Sequence, residues 1–220
     1  MANLDIIKKS LKKTLNRHKD KFENFFDGWS GWEKWLQVEL AYELNNHGVA
    51  TVEKQYGYHK GKRLPIGKLG NTNAFIDIVF RKKKDSTDYL TAIELTVGET
   101  QKSLRKVFSD LLKINALKQK EWDFRSVFVV LAFKNRNGRN TKFVELYNAI
   151  QYKFDIAPID FGCFTFLVFG WEPPALKCNM NGANYGEWIE SLVEIYKAHH
   201  IIAKVSTKKS YSKKLEVQDD

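Results

Sequence analysis

A chain of 220 residues with 43% hydrophobic and 14% aromatic side chains can bury a substantial core, and its length fits one elaborated domain better than two. Thirty-six Lys and Arg against 26 Asp and Glu leave a formal charge of +10, which favours a polyanionic partner such as nucleic acid. Two cysteines without metal-ligand spacing, Cys163 and Cys178, argue against a disulfide framework and for a reducing, cytoplasmic setting.

A lysine-rich amphipathic helix is expected over residues 1–24, from Leu4 to about Phe22, with Ile6, Ile7, Leu11 and Leu15 on its apolar side. This stretch lacks the apolar centre of a signal peptide. One α/β domain is expected over residues 25–203. Its first helix starts after Asp27 or Ser30, either of which could cap it, and runs to His47 before Gly48 stops it. Three strands follow, Ala50–Tyr58, Asn73–Arg81 and Tyr89–Val97. A Gly- and Lys-rich loop, His59 to Thr72, separates the first two strands, and the basic run Arg81-Lys82-Lys83-Lys84 opens the turn after the second. A long helix is expected from Glu99 to about Lys120, then a central strand Ser126–Phe133, a helix Thr141–Tyr152, a buried strand Cys163–Phe169 and a last helix Tyr185–Ala203. The apolar runs are strand-length, too short to span a bilayer, so no membrane insertion is expected. Residues 204–220 read as a polar tail. Helices alternating with buried strands predict a mixed sheet sandwiched by helices.

Chemistry concentrates in three stretches. In Phe75-Ile76-Asp77-Ile78-Val79-Phe80, alternation puts Asp77 on one face with Phe75 and Val79. In Ala92-Ile93-Glu94-Leu95-Thr96-Val97, Glu94 and Thr96 share a face. Neighbouring strands can therefore set Asp77 beside Glu94, and a divalent cation is a natural counter-charge for such a pair. The third stretch is the helix around Trp32–Leu44. On a helical wheel Glu39 and Glu43 fall inside the apolar arc of Trp32, Trp35, Leu36, Leu40 and Leu44, whereas Glu33 lies nearer its edge and Lys34 outside it.

A helix carrying Glu39, a strand with Asp77, and Glu94-Leu95-Thr96 on the next strand together resemble the PD-(D/E)XK nuclease superfamily over roughly residues 30–134. The resemblance implies a restriction-endonuclease-like core in α-β-β-β-α-β order. It implies Mg²⁺, or Mn²⁺, held by Asp77 and Glu94 with the Leu95 carbonyl as an additional ligand, and Glu39 as a supporting carboxylate. The catalytic set would be Glu39, Asp77, Glu94 and Thr96. Thr96 stands where the family carries a lysine, and Lys54, Lys106 and Lys113 are the candidates to replace that cation. The wheel turns Lys106 and Lys113 away from the apolar side of their helix.

The activity implied is endonucleolytic hydrolysis of DNA, as in restriction or phage defence, by a homodimer or with a partner subunit. The alternative is a nuclease-like fold that binds DNA without cutting, or that works as a subunit of a larger complex. Lys60, Lys62, Arg63 and Lys68 of the 59–72 loop, with Lys82 and Lys83, are the candidate phosphate contacts. The same residues also read as a solvated basic hairpin and turn. Trp29, Trp32 and Trp35 read as packing residues, and the five histidines show no zinc-ligand pattern.

Overall fold

Side chains along a strand alternate between two faces, and here both faces find helices to cover them. The computed structural model describes residues 3–24, 31–57, 73–83, 89–97, 106–107, 124–135, 141–150, 156 and 158–172. Strands β1 (Gly48–Gly57), β2 (Asn73–Lys82) and β3 (Leu90–Val97) form an antiparallel meander. Strand β4 (Phe124–Lys134) then lies parallel to β3. Strand β6 (Phe164–Trp171) pairs antiparallel with β4, and the short β5 (Ile159–Phe161) closes the far edge. The six-stranded order is β1-β2-β3-β4-β6-β5, a mixed sheet flanked by helices as expected.

One face carries Ile78, Phe80, Ile93, Leu95, Phe128, Val130, Ala132, Phe166 and Val168, and it packs on helices α1 (Asn3–Arg17) and α3 (Trp32–Leu44). Ile6, Ile7, Leu11 and Leu15 are buried there, so the helix read from the lysine-rich start belongs to the central core. Burying each of them contributes about 1.5–3 kcal/mol. The other face carries Val127, Val129, Leu131 and Phe133. The ring of Phe143 on helix α4 (Thr141–Ile150) meets Phe133 edge-on, with centroids 5.4 Å apart.

Boundaries differ from expectation where tertiary contacts override local signals. The first helix breaks at His18 into α1 and the short α2 (Lys19–Asn24). The break carries the imidazole to Glu39 of α3 (2.9 Å) and edge-on to Trp35. Helix α3 begins after Gly31, at φ 95°, without a side-chain cap, while Asp27 and Ser30 lie outside the described residues. It ends at Leu44, three residues short of His47. Asn46 turns its amide back onto the Glu43 carbonyl (3.0 Å), offering the chain an alternative to further helix. Gly48 therefore opens β1 rather than stopping a helix. A Cβ there would sit 2.0 Å from the Arg81 carbonyl oxygen, so only glycine fits against β2. Strand β5 was not expected; three residues are too few to show alternation. Of the expected helix over 99–120 only Lys106 and Val107 are described, both helical, and the expected helix over 185–203 lies outside the described residues. No described helix is long and apolar enough to cross a membrane.

Helix α1 is tied at both ends. Glu172 accepts the Asn3 and Leu4 amides at its N-terminus (2.7 and 3.2 Å), where a carboxylate satisfies orphan N–H groups and the helix dipole together. At its C-terminal end Lys13 (2.5 Å) and Arg17 pair with the buried Glu43. Burial would raise the Glu43 carboxyl, but hydrogen bonds and charge from Lys13 and Arg17 outweigh it and hold the group below its usual 4.5. A depressed carboxyl stabilises the fold above its unfolded value and loses that contribution as pH falls through the folded one. Glu43→Gln should lower stability by about 1–3 kcal/mol at neutral pH, discounted because both cations keep access to water. In urea titrations at a series of pH values, the gap between wild type and variant should close as pH drops below about 4.5. A gap independent of pH would show that the ion pairs do not carry it.

Candidate functional site

The register between β2 and β3 brings the two strand carboxylates together. Ile78 pairs with Ile93, Val79 with Ala92 and Phe80 with Thr91, so Asp77 and Glu94 come next in line and share a face. Regular pairing ends there: only three pairs join strands of ten and eight residues. Beyond the last pair the Leu95 amide donates to Asp77 Oδ2 at 2.8 Å, a side chain taking the place of a main-chain acceptor. The Asp77 carbonyl accepts a hydrogen bond from Gln37 Nε2 at 2.7 Å. Asp77 is thus fixed by its carboxylate to β3 and by its backbone to α3.

Burial changes sharply across this residue. Glu94 is 2% exposed and Thr96 3%, while Asp77 is half-buried. On the other side of Asp77, the β1 register places Glu53 opposite it, flanked by the pairs Val52–Ile78 and Lys54–Ile76. Glu53 has φ 48°, the left-handed region that side chains seldom adopt, and its carboxylate pairs with Lys34 of α3. A third acid beside Asp77 is thereby committed to a lysine.

The helix glutamates are placed differently from expectation. Glu43 is buried, as its place in the apolar arc implied, but it serves Lys13 and Arg17. Glu39 pairs with His18 (2.9 Å) and lies 3.9 Å from Arg17, both in the α1 segment. The α3 residue that reaches the strand site is Gln37, buried and uncharged. One turn earlier on α3, Glu33 pairs with the exposed Lys106 at 2.8 Å. Sequence reasoning passed over Gln37 because an uncharged polar residue flanked by Leu36 and Val38 does not stand out as a carboxylate does. Glu33 was passed over because it stood at the arc's edge.

Among the described residues, no three His, Cys, Asp or Glu side chains form a group able to hold a metal ion. The strand pair alone remains as candidate ligands. Two carboxylates suit Mg²⁺, which keeps most of its waters and is usually bound by one or two carboxylates plus substrate phosphates. Leu95 is buried in the core through its side chain, and its amide is spent on Asp77.

Of the candidate phosphate contacts, Lys60, Lys62, Arg63 and Lys68 lie outside the described residues. Lys82 ends β2, opposite Gly48. Lys83 donates from Nζ to the Asn46 carbonyl (3.2 Å) just beyond α3, where a cation also suits the helix dipole. Of the three candidate replacement lysines, only Lys106 has a described side chain. No family model matches the chain, and no curated protein or solved structure matches it either.

The double engagement of Asp77 separates its charge from its structural role. Asp77→Asn keeps an oxygen for the Leu95 amide and should fold with nearly wild-type stability. Asp77→Ala leaves that amide unmet and should lose about 1–2 kcal/mol in thermal or urea unfolding. Equal stability of the two variants would show that the hydrogen bond contributes nothing.

Proposed function

We propose that this chain is a Mg²⁺- or Mn²⁺-dependent endodeoxyribonuclease with a restriction-endonuclease-like core. The observation that carries the reading is Asp77 and Glu94 coming next in line where regular β2–β3 pairing ends, each flanked in its strand by apolar residues. Supporting it, α3 precedes three antiparallel strands, helical residues follow at Lys106 and Val107, and β4 adds parallel to β3. That sequence of elements is compatible with the α-β-β-β-α-β order.

In this reading Asp77 and Glu94 hold the ion, with the Leu95 carbonyl as a further ligand. When bound, the ion neutralises charge on the scissile phosphate and makes a water more acidic. The protein supplies rigidity: the Leu95 amide orients the Asp77 carboxylate and Gln37 fixes the strand beneath it. Lys106, tethered by Glu33 one helical turn from Gln37, is the cation that serves where Thr96 replaces lysine. Glu39, given to α1, takes no part in the chemistry.

A second reading has one observation in its favour: Thr96 is buried and uncharged at the position where the family places its lysine. It makes the chain a DNA-binding protein that does not cut.

Cleavage of plasmid, linear duplex and single-stranded DNA with Mg²⁺ or Mn²⁺ decides between them. Asp77→Asn and Glu94→Gln should each lower the rate by at least about a hundredfold with the fold intact, whereas Glu39→Gln should stay near wild type. Metal-dependent cleavage that survives both substitutions sinks the assignment, and salt-sensitive binding with no cleavage of any substrate establishes the second reading. Lys106→Ala should reduce the turnover rate by roughly 10²-fold or more while metal affinity is retained. An unchanged rate would remove Lys106 from the mechanism and leave the carboxylate assignment standing.

A further inference from the structure

The sheet face that carries Asp77 is covered unevenly. Over β3, β4 and β6 it is closed, with Ala92, Glu94, Thr96, Val129, Leu131 and Leu167 all buried. At the described side chains of β1 and the start of β2 on this face it is open: Val49 is 53% exposed and Phe75, two residues before Asp77, is 56% exposed. Asp77 lies on the boundary between these regions, so a large substrate reaches it from the Phe75 side. Ile76 beside Phe75, pointing the other way, is fully buried, so the exposure belongs to this face of the strand.

We infer that Phe75 is a stacking platform for an unpaired base of the nucleic acid whose phosphate lies at the Asp77–Glu94 pair. The inference rests on the nuclease reading for the place of that phosphate. Three features point to this occupant. Residues two apart on a strand are separated by about 6.6 Å, within reach of a nucleotide neighbouring the phosphate. Arg81 lies on the same face of β2, on the other side of Asp77, half-buried and able to meet a second phosphate. A net charge of +10 draws polyanions to the molecule, whereas an apolar protein partner would gain nothing from it. Bases inside a duplex already have both faces stacked, so an exposed ring selects single strands, flaps and frayed ends. The substrate class is therefore DNA with an unpaired segment at or beside the cleaved bond.

The test uses the full chain in metal-free buffer, with a single-stranded oligonucleotide containing 2-aminopurine and a blunt duplex of the same sequence. Wild type should bind the single strand more tightly and quench the probe. Phe75→Ala should weaken single-strand binding roughly 5- to 100-fold and abolish the quench, with duplex binding unchanged, while Phe75→Trp retains both. Because Phe75 is exposed, the Ala variant should melt with wild type, and Phe75→Trp gives a second measurement if it does not. Equal single-strand affinity of wild type and Phe75→Ala overturns the inference, as does an equal loss on single strand and duplex. Metal-dependent duplex cleavage indifferent to Phe75→Ala also overturns it and leaves the nuclease reading intact. Phe75-dependent stacking without any metal-dependent cleavage removes the nuclease reading and leaves the stacking site.

Discussion

The hydrogen bond from the Leu95 amide to Asp77 Oδ2 is the constraint around which the site is built. Regular pairing of β2 with β3 ends just before Asp77 and Glu94, where two like charges would otherwise face each other across the ladder. The break leaves main-chain groups that must find partners in a partly buried place. One is met by the carboxylate of Asp77 itself, and the Asp77 carbonyl is met by Gln37. The residue that carries the charge thus also mends the break in the ladder. This explains why the ladder can stop after Ile78–Ile93 without loosening β3, which stays paired with β4 along its length.

Among the described acidic residues, those of α3 and its neighbour Glu53 meet a different fate from Asp77. Glu39 and Glu43 face α1 and are matched by His18, Arg17 and Lys13; Glu53 is matched by Lys34, and Glu33 by Lys106. Asp77 is held by neutral donors, an amide nitrogen of the backbone and a glutamine next to its own carbonyl. Neutral donors fix a carboxylate without cancelling its charge, which is what a cation-binding group requires. Lys13 and Arg17 of α1 spend their charge on α3, so the basic character of α1 is by itself poor evidence of a nucleic-acid footprint. Lys83 behaves in the same way at the end of α3.

Much of the architecture was legible because its signals are periodic. The apolar stripe Ile6, Ile7, Leu11 and Leu15, the uninterrupted run of β4 and the alternation in β2 each survive as buried faces. That Asp77 and Glu94 come next to each other in the β2–β3 register also followed from alternation once the two strands were taken as neighbours. The partner of Glu39 did not follow. A wheel shows that a residue faces inward, not which neighbour it meets, and α3 meets α1 on one flank and the strands on the other. The choice between Glu39 and Gln37 therefore rested on the helix's rotation in the fold, which no residue in the helix records. The break at His18 was invisible for a related reason: its cause is Glu39 and Trp35, residues 21 and 17 positions away.

Thr96 gains meaning from this arrangement. It shares the face of Glu94, is as deeply buried, and offers a hydroxyl but no charge. A lysine at that position would have to bury its ammonium under the closed half of the sheet, and such desolvation can exceed the gain from a nearby carboxylate. Lys106 avoids this, since half its side chain is in solvent and it pairs with Glu33. On the nuclease reading, a cation brought by Lys106 rather than by the strand itself keeps the interior of β3 free of a second buried charge. Lys106 then carries its positive charge outside the closed half of the sheet, where a lysine in place of Thr96 could not.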